Sequence, residues 1–216
     1  LRGEERPVFS LIFTATSHAP YQVPEREKHP FGTEGDLQKY FNCNRYLDAV
    51  LADFFKKIPG NPNLENTLFF ITGDHTIFPL EKRWETTSLF HLPLFIYGKN
   101  HISSGVDKRL GSHMDLFPTL LHAAGYAGPM VNFGRSLLKK GGKNFSVMSQ
   151  GNTLHATDGE EWLILPHILS PPESFKIQEG YFLKKQQSLC SRELLSLTQS
   201  YVQTVHTLFK ENRYYP

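Results

Sequence analysis

The chain has 216 residues, of which 39% are hydrophobic and 20% charged, and its net charge is +2. This composition supports a sizeable core and argues against disorder, while so small a net charge gives no reason to expect nucleic-acid binding. No stretch approaches the ~20 apolar residues that span a bilayer, and we expect no signal peptide because no leader pattern follows Leu1. Cys43 and Cys190 lack metal-finger spacing, so two unpaired or buried thiols are favoured and a disulfide stays open.

The first two thirds of the chain alternate between predicted strands and helices. The predicted elements are a strand at Val8–Thr16, a helix from Asp36 to Ile58, strands at Thr67–Thr72 and Leu92–Tyr97, and a helix at Asp115–Ala124. The strands are continuously apolar, as expected for strands that are covered on both faces. This alternation predicts an α/β fold with a mixed, mostly parallel sheet flanked by helices.

The last third has a different pattern. Short runs at Phe145–Gln150, Thr153–Thr157, Trp162–Leu165 and Tyr181–Lys185 are separated by turn signals, and an apolar stripe runs from Arg192 to about Asn212. These runs predict a small antiparallel sheet followed by one helix. The Gly- and Lys-rich stretch Lys139–Asn144 marks the boundary, so we expect one domain over residues 1–140 and a smaller one over 141–216.

One predicted strand ends abruptly in Gly73, Asp74 and His75. In open α/β sheets, ligands bind outside the carboxyl ends of the strands. A carboxylate oxygen and an imidazole nitrogen side by side are ligands that a transition metal accepts. The alternative is a Gly-Asp turn that leaves the strand, with His75 simply exposed.

Two further histidines are candidates for the same site. His18 follows the first predicted strand, and parallel strands would bring it to the sheet edge that carries His75. Alternatively, a backbone carbonyl holds His18 within its own loop. His113 precedes the helix at Asp115 and could face the same pocket. A structural role is nevertheless favoured for His113 and for Asp115, which would be an N-cap or first-turn acid.

Six segments, taken in order, resemble a known family. They are "PVFSLIFTATSHAPYQVPE", "YFNCNRYLDAVLADFFKKI", "NTLFFITGDHT", "HLPLFIYGKN", "SHMDLFPTLLHAAG" and "FGRSLL". Together they resemble the later part of a sulfatase-type domain, in the lipoteichoic acid synthase and phosphoglycerol transferase branch of the alkaline phosphatase superfamily. The resemblance is close from about Pro7 to Leu138 and looser beyond.

The resemblance implies an incomplete alkaline phosphatase-like fold with a metal-centred site at the strand ends. In such enzymes a Thr, Ser or modified Cys attacks phosphorus or sulfur, and one or two divalent metals activate it. The resemblance implies that Asp74 and His75 ligate Mn²⁺ or Zn²⁺ and that His18 contacts the substrate's phosphate or sulfate group or a second metal. His113 is a further neighbour of this site.

The resemblance also implies that catalytic residues are missing from this chain. The family's nucleophile and first acidic ligand precede the segment that matches Val8–Thr16, so no catalytic nucleophile is expected here and the chain alone is expected to be inactive. The intact protein would act on a phosphate or sulfate ester, lipid-linked in some family members, outside the cytoplasm and with an upstream membrane anchor. The alternative is a non-catalytic binding module that keeps the fold.

Overall fold

The computed structural model describes residues 7–76, 87–99, 101–142, 144–166, 171–179, 182–188 and 191–213. Two compact units are distinguished, one formed by Leu1–Phe69 with Tyr97–Ile102 and the other by Phe70–Ile96 with Ser103–Pro216. Cys190 and residues 77–86, which follow the Gly-Asp-His run, lie outside the described residues. None of the described helices is both long and apolar enough to cross a membrane.

The first unit is built around helix α1 (Asp36–Phe55), which begins where the predicted helix begins. Its buried Asn42 connects it to the preceding loop: the backbone N–H of Phe31 donates to Oδ1 at 3.3 Å, and Nδ2 donates to the carbonyl of Gly32 at 2.7 Å. Cys43 beside it is fully buried, and burial raises the pKa of its thiol. The buried amide therefore fixes the loop against α1 without leaving its own polar groups unsatisfied.

Aromatic rings close the C-terminal end of α1. Phe54 packs edge-on against Phe69 with ring centroids 5.5 Å apart, and Phe55 packs edge-on against Tyr97 at 5.3 Å. Such edge-to-face pairs add about 0.5–1.5 kcal/mol each beyond the burial of their area. The helix ends three residues before the predicted end at Ile58, and a short helix, α2 (Pro62–Glu65), follows it.

The predicted strand at Val8–Thr16 is wrong for this structure. The segment belongs to neither sheet formed by the described residues, and its apolar side chains are exposed, Leu11 and Ile12 by 83% each. An apolar run forms a strand only when neighbouring strands pair with its N–H and C=O groups. No described strand pairs with this segment, so its β-favouring composition has no ladder to join.

Two short strands, which precede the larger sheet in the sequence, lie next to each other. Strand β1 (Phe69–Thr72) and strand β2 (Leu94–Tyr97) fall within the predicted strands and form a two-stranded sheet. A 3₁₀ helix at Thr87–Phe90 precedes β2, and a second 3₁₀ helix at His113–Asp115 leads directly into α3 (Leu116–Ala123).

The C-terminal part of the second unit is an antiparallel sheet followed by one helix, as predicted, but the sheet has five strands where four were predicted. Its elements are β3 (Ser146–Gln150), β4 (Thr153–Thr157), β5 (Glu161–Leu165), β6 (Glu173–Ile177), β7 (Leu183–Lys185) and α4 (Arg192–Lys210). Ala156, Leu163 and Leu194 are fully buried where α4 covers the central strands. Strand β6 was not predicted; only two of its five residues, Phe175 and Ile177, are apolar.

Candidate metal centre

The loop that follows β1 is held at both ends. The hydroxyl of Thr72 donates to the carbonyl of Pro93 at 2.8 Å, next to the start of β2. The hydroxyl of Thr76 donates to the carbonyl of Leu89 at 2.6 Å, in the 3₁₀ helix before β2. Between these two contacts the chain has only Gly73, Asp74 and His75 to arrange, so the two functional candidates sit on a short, fixed loop.

One carboxylate oxygen of Asp74, Oδ2, and one ring nitrogen of His75, Nε2, lie close to each other. The backbone N–H of His75 donates to Oδ1 of Asp74 at 2.9 Å, and no other described residue donates a hydrogen bond to Oδ2. Nδ1 of His75 lies 2.8 Å from the carbonyl of Thr76. Because a carbonyl only accepts, Nδ1 carries the hydrogen and Nε2 keeps its lone pair. Oδ2 and Nε2 lie 3.6 Å apart.

This pair fits a divalent transition metal. Metal–ligand bonds of about 2.0–2.2 Å place neighbouring ligand atoms of a tetrahedral site roughly 3.4 Å apart. The spacing between Oδ2 of Asp74 and Nε2 of His75 is close to that value, and a backbone carbonyl on the other ring nitrogen is the usual second contact of a metal-binding histidine. Both side chains are more than half exposed, so the free atoms are open to an incoming ion.

The electrostatics of the loop favour an ionised carboxylate. The backbone hydrogen bond from His75 holds the pKa of the Asp74 carboxyl below its usual value. A carboxylate that is already ionised offers its oxygen to a cation without first losing a proton.

Two protein ligands do not complete a site. Within the part of the chain that the structure describes, no group of three or more His, Cys, Asp or Glu side chains is arranged to hold a metal ion. Stable zinc sites use three or four protein ligands. The geometry therefore supplies part of a coordination shell and leaves the other positions to be filled from elsewhere.

His113 lies beside this loop. Its Nε2 is 2.8 Å from the carbonyl oxygen of Gly73, the residue that precedes Asp74. That nitrogen therefore donates to the carbonyl, and it is not free to bind a cation.

Asp115 is the first-turn acid of the 3₁₀ helix that leads into α3, which is one of the two roles predicted for it. Its side chain makes no capping bond to α3. Its Oδ2 accepts the backbone N–H of Ser112 at 2.8 Å and its Oδ1 accepts the backbone N–H of Arg135 at 2.7 Å. Spacing along the chain did not indicate the contact with Arg135, although Arg135 falls in the family-like segment "FGRSLL".

His18 belongs to the first unit and lies in the loop after the extended segment. Its Nδ1 is 2.9 Å from the carbonyl of Ala19, and the side chain is exposed. This is the backbone-carbonyl contact that the alternative for His18 describes, and it leaves Nε2 without a hydrogen-bond partner among the described residues. The shared site of His18 with Asp74 and His75 stays a prediction, because His18 lies in the first unit and the other two residues lie in the second.

Comparison with known proteins identifies the family. The sulfatase family model matches residues 1–126, which is more than half of the chain. The chain belongs to the sulfatase family. It is 30% identical over 159 residues to lipoteichoic acid synthase 1 of Bacillus subtilis, covering 65% of this chain and 24% of that protein. It is 26% identical over 155 residues to lipoteichoic acid synthase of Staphylococcus aureus, covering 62% of this chain and 23% of that protein.

Two solved structures show the same fold. A protein of the alkaline phosphatase superfamily from Vibrio parahaemolyticus superposes with a TM-score of 0.85 at 22% identity, covering 99% of this chain and 52% of that one. A phosphonate monoester hydrolase from Silicibacter pomeroyi gives a TM-score of 0.53 at 16% identity, covering 84% of this chain and 43% of that one. The predicted fold class and the resemblance to the lipoteichoic acid synthase branch are thus confirmed. The chain spans about a quarter of the length of the curated relatives that it matches.

Proposed function

We propose that this chain is the C-terminal part of a metal-dependent transferase or hydrolase that acts on phosphate or sulfate esters. One observation carries the proposal: Oδ2 of Asp74 and Nε2 of His75 lie 3.6 Å apart on a short, exposed loop. Membership of the sulfatase family and similarity to two lipoteichoic acid synthases support the class of reaction.

In this proposal Asp74 and His75 hold one divalent ion, Mn²⁺ or Zn²⁺. The ion, when bound, neutralises the oxygens of the transferred group and activates the attacking nucleophile. The carbonyl of Thr76 keeps the proton of His75 on Nδ1, so that Nε2 faces the ion. His18, through its free Nε2, contacts the ester's phosphate or sulfate group.

We further propose that the nucleophile and the other ligands come from a segment outside this chain. The chain covers 52% of the Vibrio structure that it matches along almost its whole length. The exposed apolar segment from Val8 to Phe13 has the composition of a buried strand but no strand beside it among the described residues. Strands from the complementary half of the domain would cover it and would carry the nucleophile.

The same proposal has consequences for where the intact protein acts. By analogy with lipoteichoic acid synthases, its substrate is a phosphate or sulfate ester, lipid-linked in the synthase-like case, and it acts on the extracytoplasmic face of a membrane through an upstream anchor. Residues 1–140 then belong to the catalytic domain, and residues 141–216 form its small C-terminal subdomain. A non-catalytic module with the same fold is the second candidate, since the described residues include no group of three or more candidate metal ligands.

Metal binding tests the proposal directly. Isothermal titration of the 216-residue chain with Mn²⁺ and Zn²⁺ is compared with the same titration of an Asp74→Ala, His75→Ala double variant. We expect weak binding by the parent chain, because water fills most of the coordination shell, and at least tenfold weaker binding by the variant. Equal affinity in the two proteins would remove the assignment.

A further inference from the structure

The contact between His113 and Gly73 joins two parts of the second unit that are 40 residues apart in sequence. The carbonyl of Gly73 and the N–H of Asp74 belong to one planar peptide group. A hydrogen bond that fixes this carbonyl therefore also fixes the plane from which the backbone of Asp74 continues. The direction of the Asp74 carboxylate depends on that plane.

His113 is itself held firmly. It is the first residue of the 3₁₀ helix whose start is stabilised by reciprocal hydrogen bonds between Ser112 and Asp115. The backbone N–H of Arg135 donates to the same Asp115 carboxylate at 2.7 Å, and the guanidinium of Arg135 donates to the carbonyls of Leu110 at 3.1 Å and Gly141 at 2.8 Å. The imidazole thus approaches Gly73 from a turn that is anchored independently of the Asp74 loop.

The close packing of Gly134 is a second sign that this turn is fixed. A Cβ at Gly134 would overlap the carbonyl of Met114 and lie 2.7 Å from the backbone nitrogen of Asp115. The loop that contains Gly134 and Arg135 therefore presses backbone to backbone on the turn that carries His113.

We propose that His113 is a positioning residue for the metal-binding pair. It holds the peptide between Gly73 and Asp74 so that Oδ2 of Asp74 and Nε2 of His75 face one cation, and this role rests on the function proposed above for that pair. His113 is not a third ligand through Nε2, because Nε2 donates to the Gly73 carbonyl. Removing such an outer contact weakens metal affinity typically about 10–100-fold.

Site-specific metal titration of the full 216-residue chain tests the role. Zn²⁺ is titrated while NMR follows the ring signals of His75, so that binding by other histidines does not obscure the result. The His113→Ala variant should bind about 10–100-fold more weakly. The His113→Gln variant, whose side-chain N–H reaches a similar position, should stay within about threefold of the parent. His206→Ala, which removes an exposed histidine of α4, should leave the affinity unchanged.

Two results would overturn the positioning role. One is an unchanged affinity in His113→Ala. The other is an equal loss in His113→Ala and His113→Gln, since a hydrogen-bond donor would then not restore the function. Melting temperatures of the metal-free variants identify a loss that comes from unfolding, and in that case the Gln variant decides alone.

A metal-free measurement separates this proposal from the assignment of the metal site. If Zn²⁺ leaves the His75 signals unchanged in the parent chain, the proposed metal site fails. The positioning role is then tested by amide hydrogen exchange at His75, whose N–H donates to Asp74. We expect exchange on the order of fivefold faster in His113→Ala than in His113→Gln. Equal rates would refute the positioning role by itself.

Discussion

The indole N–H of Trp162 donates to Nδ1 of His155 at 3.1 Å, across two paired strands of the C-terminal sheet. Both residues are buried, and the ring of Phe90 lies 4.8 Å from the imidazole. Burial among these aromatic rings lowers the pKa of His155 from 6.5 to about 4. His155 is therefore a neutral acceptor in the folded state at neutral pH.

This relationship predicts that stability falls as the pH is lowered from about 6.5 to 4. In this window the unfolded chain takes up a proton at His155 that the folded chain does not, so protonation favours unfolding. The full effect of the pKa difference is on the order of 3 kcal/mol. Urea unfolding at pH 7, 6, 5 and 4.5 measures it, with His155→Gln as the comparison because Gln accepts the indole N–H but does not titrate. The prediction fails if both proteins lose stability equally with pH.

Substitution of Gly134 should be costly for steric reasons alone. Its added methyl group would overlap backbone atoms of Met114 and Asp115, which cannot move aside as a flexible side chain would. We expect Gly134→Ala to reduce the free energy of unfolding by about 1–3 kcal/mol. Gly105→Ala is the matched control, since a methyl group there meets nothing within 4 Å, and it should be neutral or slightly stabilising. Similar melting temperatures for the two variants would contradict the packing argument.

The carboxylate of Asp115 should matter far more than an exposed one. It is 5% exposed and accepts the backbone N–H groups of Ser112 and Arg135. Truncation in Asp115→Ala should cost about 2–4 kcal/mol, because hydrogen bonds to a charged group are lost and the donors lose their acceptor. Asp53→Ala breaks an exposed ion pair with Lys56 instead and should cost less than about 0.5 kcal/mol. Denaturant titrations of both variants measure the contrast.

The isolated chain should not turn over phosphate or sulfate esters. A displacement needs a nucleophile held in line with phosphorus or sulfur, and no residue here matches the family's nucleophile position. Assays with a nitrophenyl phosphodiester and a nitrophenyl sulfate, in the presence of Mn²⁺ or Zn²⁺, should give the rate of the buffer. Turnover that disappears both on chelation and in the Asp74→Ala, His75→Ala variant would prove the prediction wrong.

Local patterns in the sequence determined most elements of this protein. Apolar periodicity and turn residues correctly predicted helix α1, strands β1 and β2, the three consecutive strands from β3 to β5, and helix α4. Each of these elements is specified by residues close to one another in the sequence, so one sequence is enough to predict its secondary structure. The Gly-Asp-His run after β1 likewise indicated the candidate site, because its chemistry depends on adjacent residues.

Only the tertiary structure decided the features that depend on distant partners. Val8–Thr16 has the composition of a strand, but no strand lies beside it among the described residues. The tautomer of His75 follows from a local carbonyl, whereas the contact of His113 with Gly73 and that of Asp115 with Arg135 join residues 40 and 20 positions apart. Hydrogen bonds over such separations are set by packing, because side-chain spacing along the chain does not encode which turn will lie against which loop.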